Sequence, residues 1–207
     1  YLIDIAKKLV QTKKDSLLGE DREKSVEFCR KFAADEIMSG IRKDLANIDV
    51  TFDSYFNETE LYNTKTVEAA LDQLNERGYL YEKDGALWFR STDFGDDKDR
   101  VLRKATGEYT YLAPDIAYHR EKFKRRFNWL INFWGPDHHG YIPRLKAACQ
   151  ALGHSPEQVE IRIIQLTTLN RKGEPVRMST RAGEYVTLAE LVQEVGADAT
   201  RFYFVMR

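Results

Sequence analysis

The sequence predicts an α/β fold over its second half, preceded by an α+β region of helices and a β-hairpin. Three observations lead there. From residue 100 onward, short apolar runs alternate with helix-spaced segments, the pattern of parallel strands joined by helical crossovers. Asp84-Gly85 lies between two aromatic-rich runs in YLYEKDGALWF, a strong short-range hairpin signal because both turn residues must take positive φ. Thr187 and Glu190 form a capping box that opens the apolar-periodic run Leu188, Leu191, Val192 and Val195.

The elements follow in chain order. Leu2, Ile5, Ala6 and Leu9 are helically spaced from the first residue, and Cys29, Ala33, Ile37, Ile41 and Leu45 mark a long helix over 23–48. Val67, Ala70, Leu71 and Leu74 mark another, closed by Gly78 as a C-terminal cap. After the hairpin, TDFGDDKD at 92–99 reads as an acidic loop and a boundary, which divides the chain into 1–99 and 100–207. Strands are expected at 100–104 and 109–112 around Gly107, then a helix from about Pro114 to Arg126. WLINFW at 129–134 reads as a buried strand. Ile142, Leu145, Cys149 and Leu152 share a helix face, with Pro143 near its start and Gly153 after its end. EIRIIQLTTL at 160–169 reads as the next strand.

Composition excludes several classes. With 43% hydrophobic and 31% charged residues over 207 positions, the chain can bury a substantial core. A net charge of −1 gives no global signal for nucleic acid, so any such surface must be local. No apolar run could span a membrane and no signal-peptide pattern occurs. Two cysteines far apart argue against a disulfide framework and for a reducing compartment. The chain starts at Tyr1 and both ends fall inside helical patterns, so an excised piece of a larger protein is expected.

Chemistry concentrates at the strand ends. FWGPDHHGYIPRL places Asp137, His138 and His139 between a strand and a helix, where open α/β sheets bind ligands. An aspartate there can accept ribose hydroxyls, and a histidine can donate to a phosphate or stack on a base. A metal site and a plain polar helix start are the alternatives; adjacent residues rarely converge on one ion, and two further ligands would be required. NRKGEPVRMSTRAGE at 170–184 follows the next strand with Arg171, Lys172, Arg177 and Arg181, and could close cations over phosphates or be a solvated basic hairpin. In YTYLAPDIAYHR, Tyr111 ends the expected strand and Asp115 opens the helix. Such an acid is a cap, or, if it faces a cleft, the partner of a cation such as a guanidinium.

The order of three motifs, DKDRVLRKATGEYTYLAPDIAYHREKF, INFWGPDHHGYIPRLKAACQALG and VRMSTRAGEYVTLAELVQEVGADATRFYF, strongly resembles the bacterial arginyl-tRNA synthetase family, almost end to end. YLIDIAKKL and FDSYFNETEL are similar to further segments of that family. The resemblance implies the C-terminal half of a class I Rossmann-type nucleotide-binding domain at 100–207, with a connective insertion region at 1–99. It implies ATP-dependent activation of L-arginine and its transfer to tRNA(Arg), with Mg2+ arriving with ATP and no tightly held protein metal. Tyr111 and Asp115 match arginine contacts. Asp137 matches the acidic turn near ribose, with His138 and His139 beside it. Arg177, Met178, Ser179, Thr180 and Arg181 match the KMSKS loop, of which Arg177, Ser179 and Arg181 would be catalytic and Arg177 and Met178 would touch ATP. Thr180 replaces the loop's second lysine, and no HIGH-type sequence occurs. A fragment lacking the HIGH half and the anticodon-binding helices is therefore expected, inactive alone, from a monomeric cytoplasmic parent; the alternative is a non-catalytic, synthetase-derived nucleotide- or RNA-binding module.

Overall fold

A computed structural model describes residues 1–165, 167–176 and 185–206. The chain divides into two compact units, one formed by 1–54 with 168–207 and the other by 55–167.

In the first unit, α1 (Leu2–Lys13) lies against α2 (Arg22–Ala46). Asp21 caps α2 by accepting from the amides of Glu23 and Lys24. Lys8 pairs with Glu36 between the two helices. The expected stripe on α2 forms but is not buried, since Ile37 and Ile41 stay exposed. The 12-residue α1 is too short to cover a 25-residue helix.

The second unit opens with α3 (Thr59–Asn63) and α4 (Thr66–Glu76). Val67, Ala70, Leu71 and Leu74 face the core, as their spacing requires. Gly78 takes φ +77 and ends α4 in a Schellman arrangement, with the Tyr79 amide on the Leu74 carbonyl and the Gly78 amide on that of Asn75. β1 (Leu80–Lys83) and β2 (Ala86–Phe89) pair around Asp84-Gly85, both at positive φ. β3 (Arg100–Arg103) adds antiparallel to β2. The acidic stretch 92–99 therefore lies inside this unit rather than between units. Three of its carboxylates are engaged: Asp99 accepts from Tyr81 Oη (2.9 Å) and Thr92 Oγ1 (2.8 Å), Asp96 receives a two-pronged bond from Arg100, and Asp97 accepts from the same guanidinium.

After Gly107 only Tyr109 bridges to β3, at Arg103, so the strand expected over 109–112 does not form. Thr110 turns the chain away through bonds to the Leu102 and Val101 carbonyls, and α5 (Leu112–Lys124) begins two residues before Pro114. β4 (Leu130–Trp134), α6 (Ile142–Ala151) and β5 (Val159–Ile163) complete a parallel pair with its crossover. β5 is shorter than expected. β4 leaves the ladder at Gly135-Pro136, and beyond one further bond, from the Ile164 amide to the Trp134 carbonyl, its pairing with β5 ends among the described residues. β4 is buried on one face only: Leu130 and Asn132 point inward, Ile131 and Phe133 outward. One apolar cluster joins α4, the hairpin, α5 and α6 around Leu74, Phe89, Leu102, Ile116 and Ala148. A second joins Phe123, Leu130, Leu145, Cys149 and Val159.

The chain then returns to the first unit. β6 (Asn170–Arg171) and β7 (Glu174–Pro175) form a small hairpin, followed by α7 (Leu188–Val195) with the Thr187–Glu190 capping box in place, and α8 (Ala197–Val205). Arg201 donates to the Ile48 carbonyl. Both cysteines are free thiols. No helix among the described residues is long and apolar enough to cross a membrane.

The Asp96 side chain is only 1% exposed. Burial alone would raise its carboxyl, but the bonds from Arg100 and the Asp97 amide outweigh it and hold the group well below the usual carboxylate range. Asp96→Ala removes the buried partner of Arg100 and leaves it only the exposed Asp97, and is expected to lower unfolding free energy by about 3 kcal/mol in urea titrations. Because the folded pKa is depressed, this contribution is complete above the unfolded value of ~4 and is lost as pH falls below it, so wild type and variant should converge in acid. Curves separated by a constant amount from neutral pH into acid would contradict this.

Candidate active site

α5 carries the two residues singled out for a cationic substrate. Tyr111 is its N-cap residue rather than a strand end, and its ring is 88% exposed. Asp115 lies one turn later and is half-buried. Its Oδ2 accepts a 2.6 Å hydrogen bond from Tyr141 Oη. Tyr141 is itself held edge-on by Trp134, with ring centres 5.7 Å apart, and is covered by the Arg144 guanidinium at 4.8 Å. Strand end, turn and helix start therefore meet at one carboxylate.

The electrostatics suit a cation. Burial raises the Asp115 carboxyl above its ordinary value; the Tyr141 hydrogen bond opposes this, and the Glu58 charge adds to the rise. Burial and Asp115 together push the Tyr141 phenol far up, so it remains a neutral donor. Glu58, on the approach to α3, accepts a 3.4 Å bond from Tyr62 Oη and lines a cleft of about 470 Å³ with Tyr62, Lys104, Tyr109 and Tyr111. Glu58, Lys104 and three phenols thus line the cleft where α5 begins.

The second group sits in a 3-10 turn, Pro136–Tyr141, directly after β4. Asp137, His138 and His139 are all exposed, with Asp137 Oδ2 3.4 Å from His138 Nε2. Gly135 allows the turn to fold back: a Cβ there would lie 2.7 Å from Asp137 Oδ1. Among the described residues no three His, Cys, Asp or Glu side chains gather as a metal site would need. His138 adds to the field on Asp115, so the turn and the start of α5 are electrostatic neighbours.

Arg177, Met178, Ser179, Thr180 and Arg181 lie outside the described residues. Of the basic segment before them, Arg171 is paired with Glu194 at 2.5 Å.

Two residues of this site, Tyr141 and Glu58, escaped the sequence reading. Tyr141 closes the very turn that carries Asp137, and a phenol at a helix start beside conspicuous polar groups was an available signal. Glu58 lies far from α5 in sequence, and only the tertiary fold brings it near. The Tyr141–Asp115 bond has a direct readout. Tyr141→Phe removes the contact that lowers the Asp115 carboxyl, so its pKa should rise further in a carbon-detected NMR titration. An unchanged titration would show that the bond does not govern the carboxylate.

A sequence model of the family described as tRNA synthetases class I (R), catalytic domain, matches residues 6–203. Arginine–tRNA ligases from Anoxybacillus flavithermus and Geobacillus kaustophilus are each 52% identical over 206 residues, covering 100% of this chain. The chain spans 37% of the length of those curated relatives. A Campylobacter jejuni crystal structure assigned as an arginyl-tRNA synthetase superposes with a TM-score of 0.89 at 36% identity, over 99% of this chain and 44% of that one. Thermus thermophilus arginyl-tRNA synthetase shares the fold, with a TM-score of 0.66 at 15% identity over 94% of this chain and 39% of its own. With the family model matched over nearly the whole chain and the relatives and structure in agreement, the chain belongs to the arginine branch of the class I tRNA synthetases, within their catalytic domain.

Proposed function

We propose that this chain supplies the arginine-recognising part, and one side of the nucleotide site, of an arginine–tRNA ligase that forms arginyl-adenylate from L-arginine and ATP and passes arginine to tRNA(Arg). The observation that carries the proposal is the half-buried Asp115 carboxylate, fixed by Tyr141 beside Tyr111 and in the field of Glu58. A guanidinium is the cation a fixed carboxylate holds best, through paired N–H donors of matching geometry. Tyr141 fixes the carboxylate plane through one oxygen and leaves the other for the substrate. Tyr111 offers an exposed ring on which a planar cation can stack. Glu58 supplies a second negative charge, which favours the arrival of a cation and disfavours neutral side chains of similar length.

In the same proposal, Asp137 accepts the ribose hydroxyls of ATP, with His138 and His139 beside the nucleotide. The loop containing Arg177, Met178, Ser179, Thr180 and Arg181 closes over the phosphates, and Arg177, Ser179 and Arg181 stabilise charge on them as pyrophosphate leaves. Magnesium accompanies the phosphates rather than a protein ligand set. Residues 1–99 act as a connective region and 100–207 as the second half of the catalytic domain. The parent works as a monomer in the cytoplasm. Because the chain spans 37% of its relatives, the activity belongs to the longer protein, and the 207-residue chain alone does not turn over.

Arginine-dependent ATP–pyrophosphate exchange by the full-length protein tests the assignment. Asp115→Asn should remove a charge-assisted bond of ~1.5–3 kcal/mol, lowering kcat/KM for arginine roughly 10- to 150-fold while the KM for ATP changes little. Unaltered arginine kinetics would remove Asp115 from the site. Arg177→Ala should instead slow adenylate formation at saturating arginine; a defect confined to tRNA binding would assign the loop to the RNA surface. Purified 207-residue chain should charge no tRNA, and arginylation above a matched blank would overturn the view that the site needs more than this chain.

A further inference from the structure

Within the 55–167 unit, side-chain hydrogen bonds join α5 to β4 and the segment after it at two levels. The upper one is Tyr141 to Asp115. The lower one lies two turns along α5, where Lys122 Nζ donates to Asn132 Oδ1 at 2.9 Å. Asn132 is 7% exposed, at the middle of a strand whose other inward residue is Leu130. Lys122 is half-buried, and its ammonium also lies 4.4 Å from the Tyr118 ring centre. Burial lowers its pKa, and Arg125 lowers it further. Between the two levels His119, 4% exposed, places Nδ1 2.8 Å from the Asp115 carbonyl oxygen. Burial pulls that imidazole down to about 4, so it is neutral and donates through Nδ1. A polar line thus runs from Asp115 through His119 to Lys122 and Asn132, along a face that is otherwise apolar.

An apolar pair at 122 and 132 would avoid the desolvation of a lysine and of a buried amide. What apolar packing lacks is direction: it tolerates sliding, whereas a charge-assisted bond to one strand position permits a single register. We propose that Lys122 and Asn132 are positioning residues that fix the axial register of α5 on β4, and so the spacing between Tyr111 and Asp115 and the nucleotide turn at 135–139. In the adenylation step an arginine carboxylate oxygen bonds to the ATP α-phosphorus as the bond to pyrophosphate breaks. The guanidinium end is held by α5 and the nucleotide by the turn. Register therefore sets how closely the reacting oxygen and phosphorus approach, and a displacement of ~1 Å can cost ~100-fold in rate.

The inference rests on the arginine reading above, and the experiment separates the two. If the unmodified full-length protein shows no arginine-dependent exchange, that reading fails and the inference falls with it. In active protein, Lys122→Met and the double variant Lys122→Met/Asn132→Leu are compared for urea midpoint, arginine Kd and kcat of exchange. The double variant removes both polar groups, so its midpoint should return to near that of the wild type. Its kcat should stay 10- to 100-fold low, with arginine Kd within about threefold. Recovery of kcat together with stability would show a purely structural clamp and overturn the proposal, as would a loss of kcat no larger than the loss of arginine affinity. Should the apolar variants not fold, Asn132→Asp keeps an acceptor for Lys122 and is expected to retain kcat within a few-fold; a loss of tenfold or more in that folded variant would refute register control.

Discussion

One helix has to satisfy two cores and hold a half-buried carboxylate at once. α5 gives Leu112, Ala113, Ile116 and Ala117 to the larger apolar cluster and Phe123 to the smaller. Its first turn carries Tyr111 and Asp115. Burial of those apolar residues is the dominant favourable term and anchors the helix, but it does so without direction. Direction comes from hydrogen bonds of defined length on its other positions, to Tyr141 at one level and Asn132 at the other. The candidate site is therefore built on an element whose place is overdetermined, which is what close positioning of side chains requires.

The charges around α5 are arranged by what surrounds each. Asp115 is raised by burial and by Glu58, so it is the group most relieved when a cation arrives. His119 is neutral and fixed. Lys122, two turns along the same helix, gives its hydrogen bond to an amide rather than to that carboxylate, although its charge still favours the ionised Asp115. By contrast Asp96 has its guanidinium built in, from Arg100 four residues on. That pair is closed and structural, whereas the Asp115 site is open on one side. The difference lies in whether the fold itself supplies the counter-charge.

The turn after β4 belongs to the same economy of positions. A strand that leaves its ladder at a Gly-Pro step ends the sheet early on that side and frees the following residues to point outward. Asp137 and His138 use that freedom, while Tyr141, at the end of the turn, points back to α5. One short segment thereby presents polar groups outward and a phenol to α5 together.

Local structure was legible wherever a short-range rule governs it. Asp84-Gly85, Gly78, and the Thr187–Glu190 pair each act over at most a few residues, and the turn, cap and helix start they dictate all form. The strand-end address of Asp137 followed from alternation of elements alone, and the family resemblance from motif order. What depended on distant partners was not legible. The strand expected over 109–112 lost to a helix whose apolar face had two cores to fill, and the strand expected over 160–169 stopped where its neighbour departed. The α2 stripe promised burial that its unit does not supply. Tyr141 and Glu58 became site residues only through contacts 26 residues away in one case and through the field on Asp115 in the other. Propensity and capping act along the chain, and so the sequence by itself determined the elements; which carboxylate stands open to a cation is a matter of desolvation and counter-charges brought from elsewhere, and that only the tertiary structure decided.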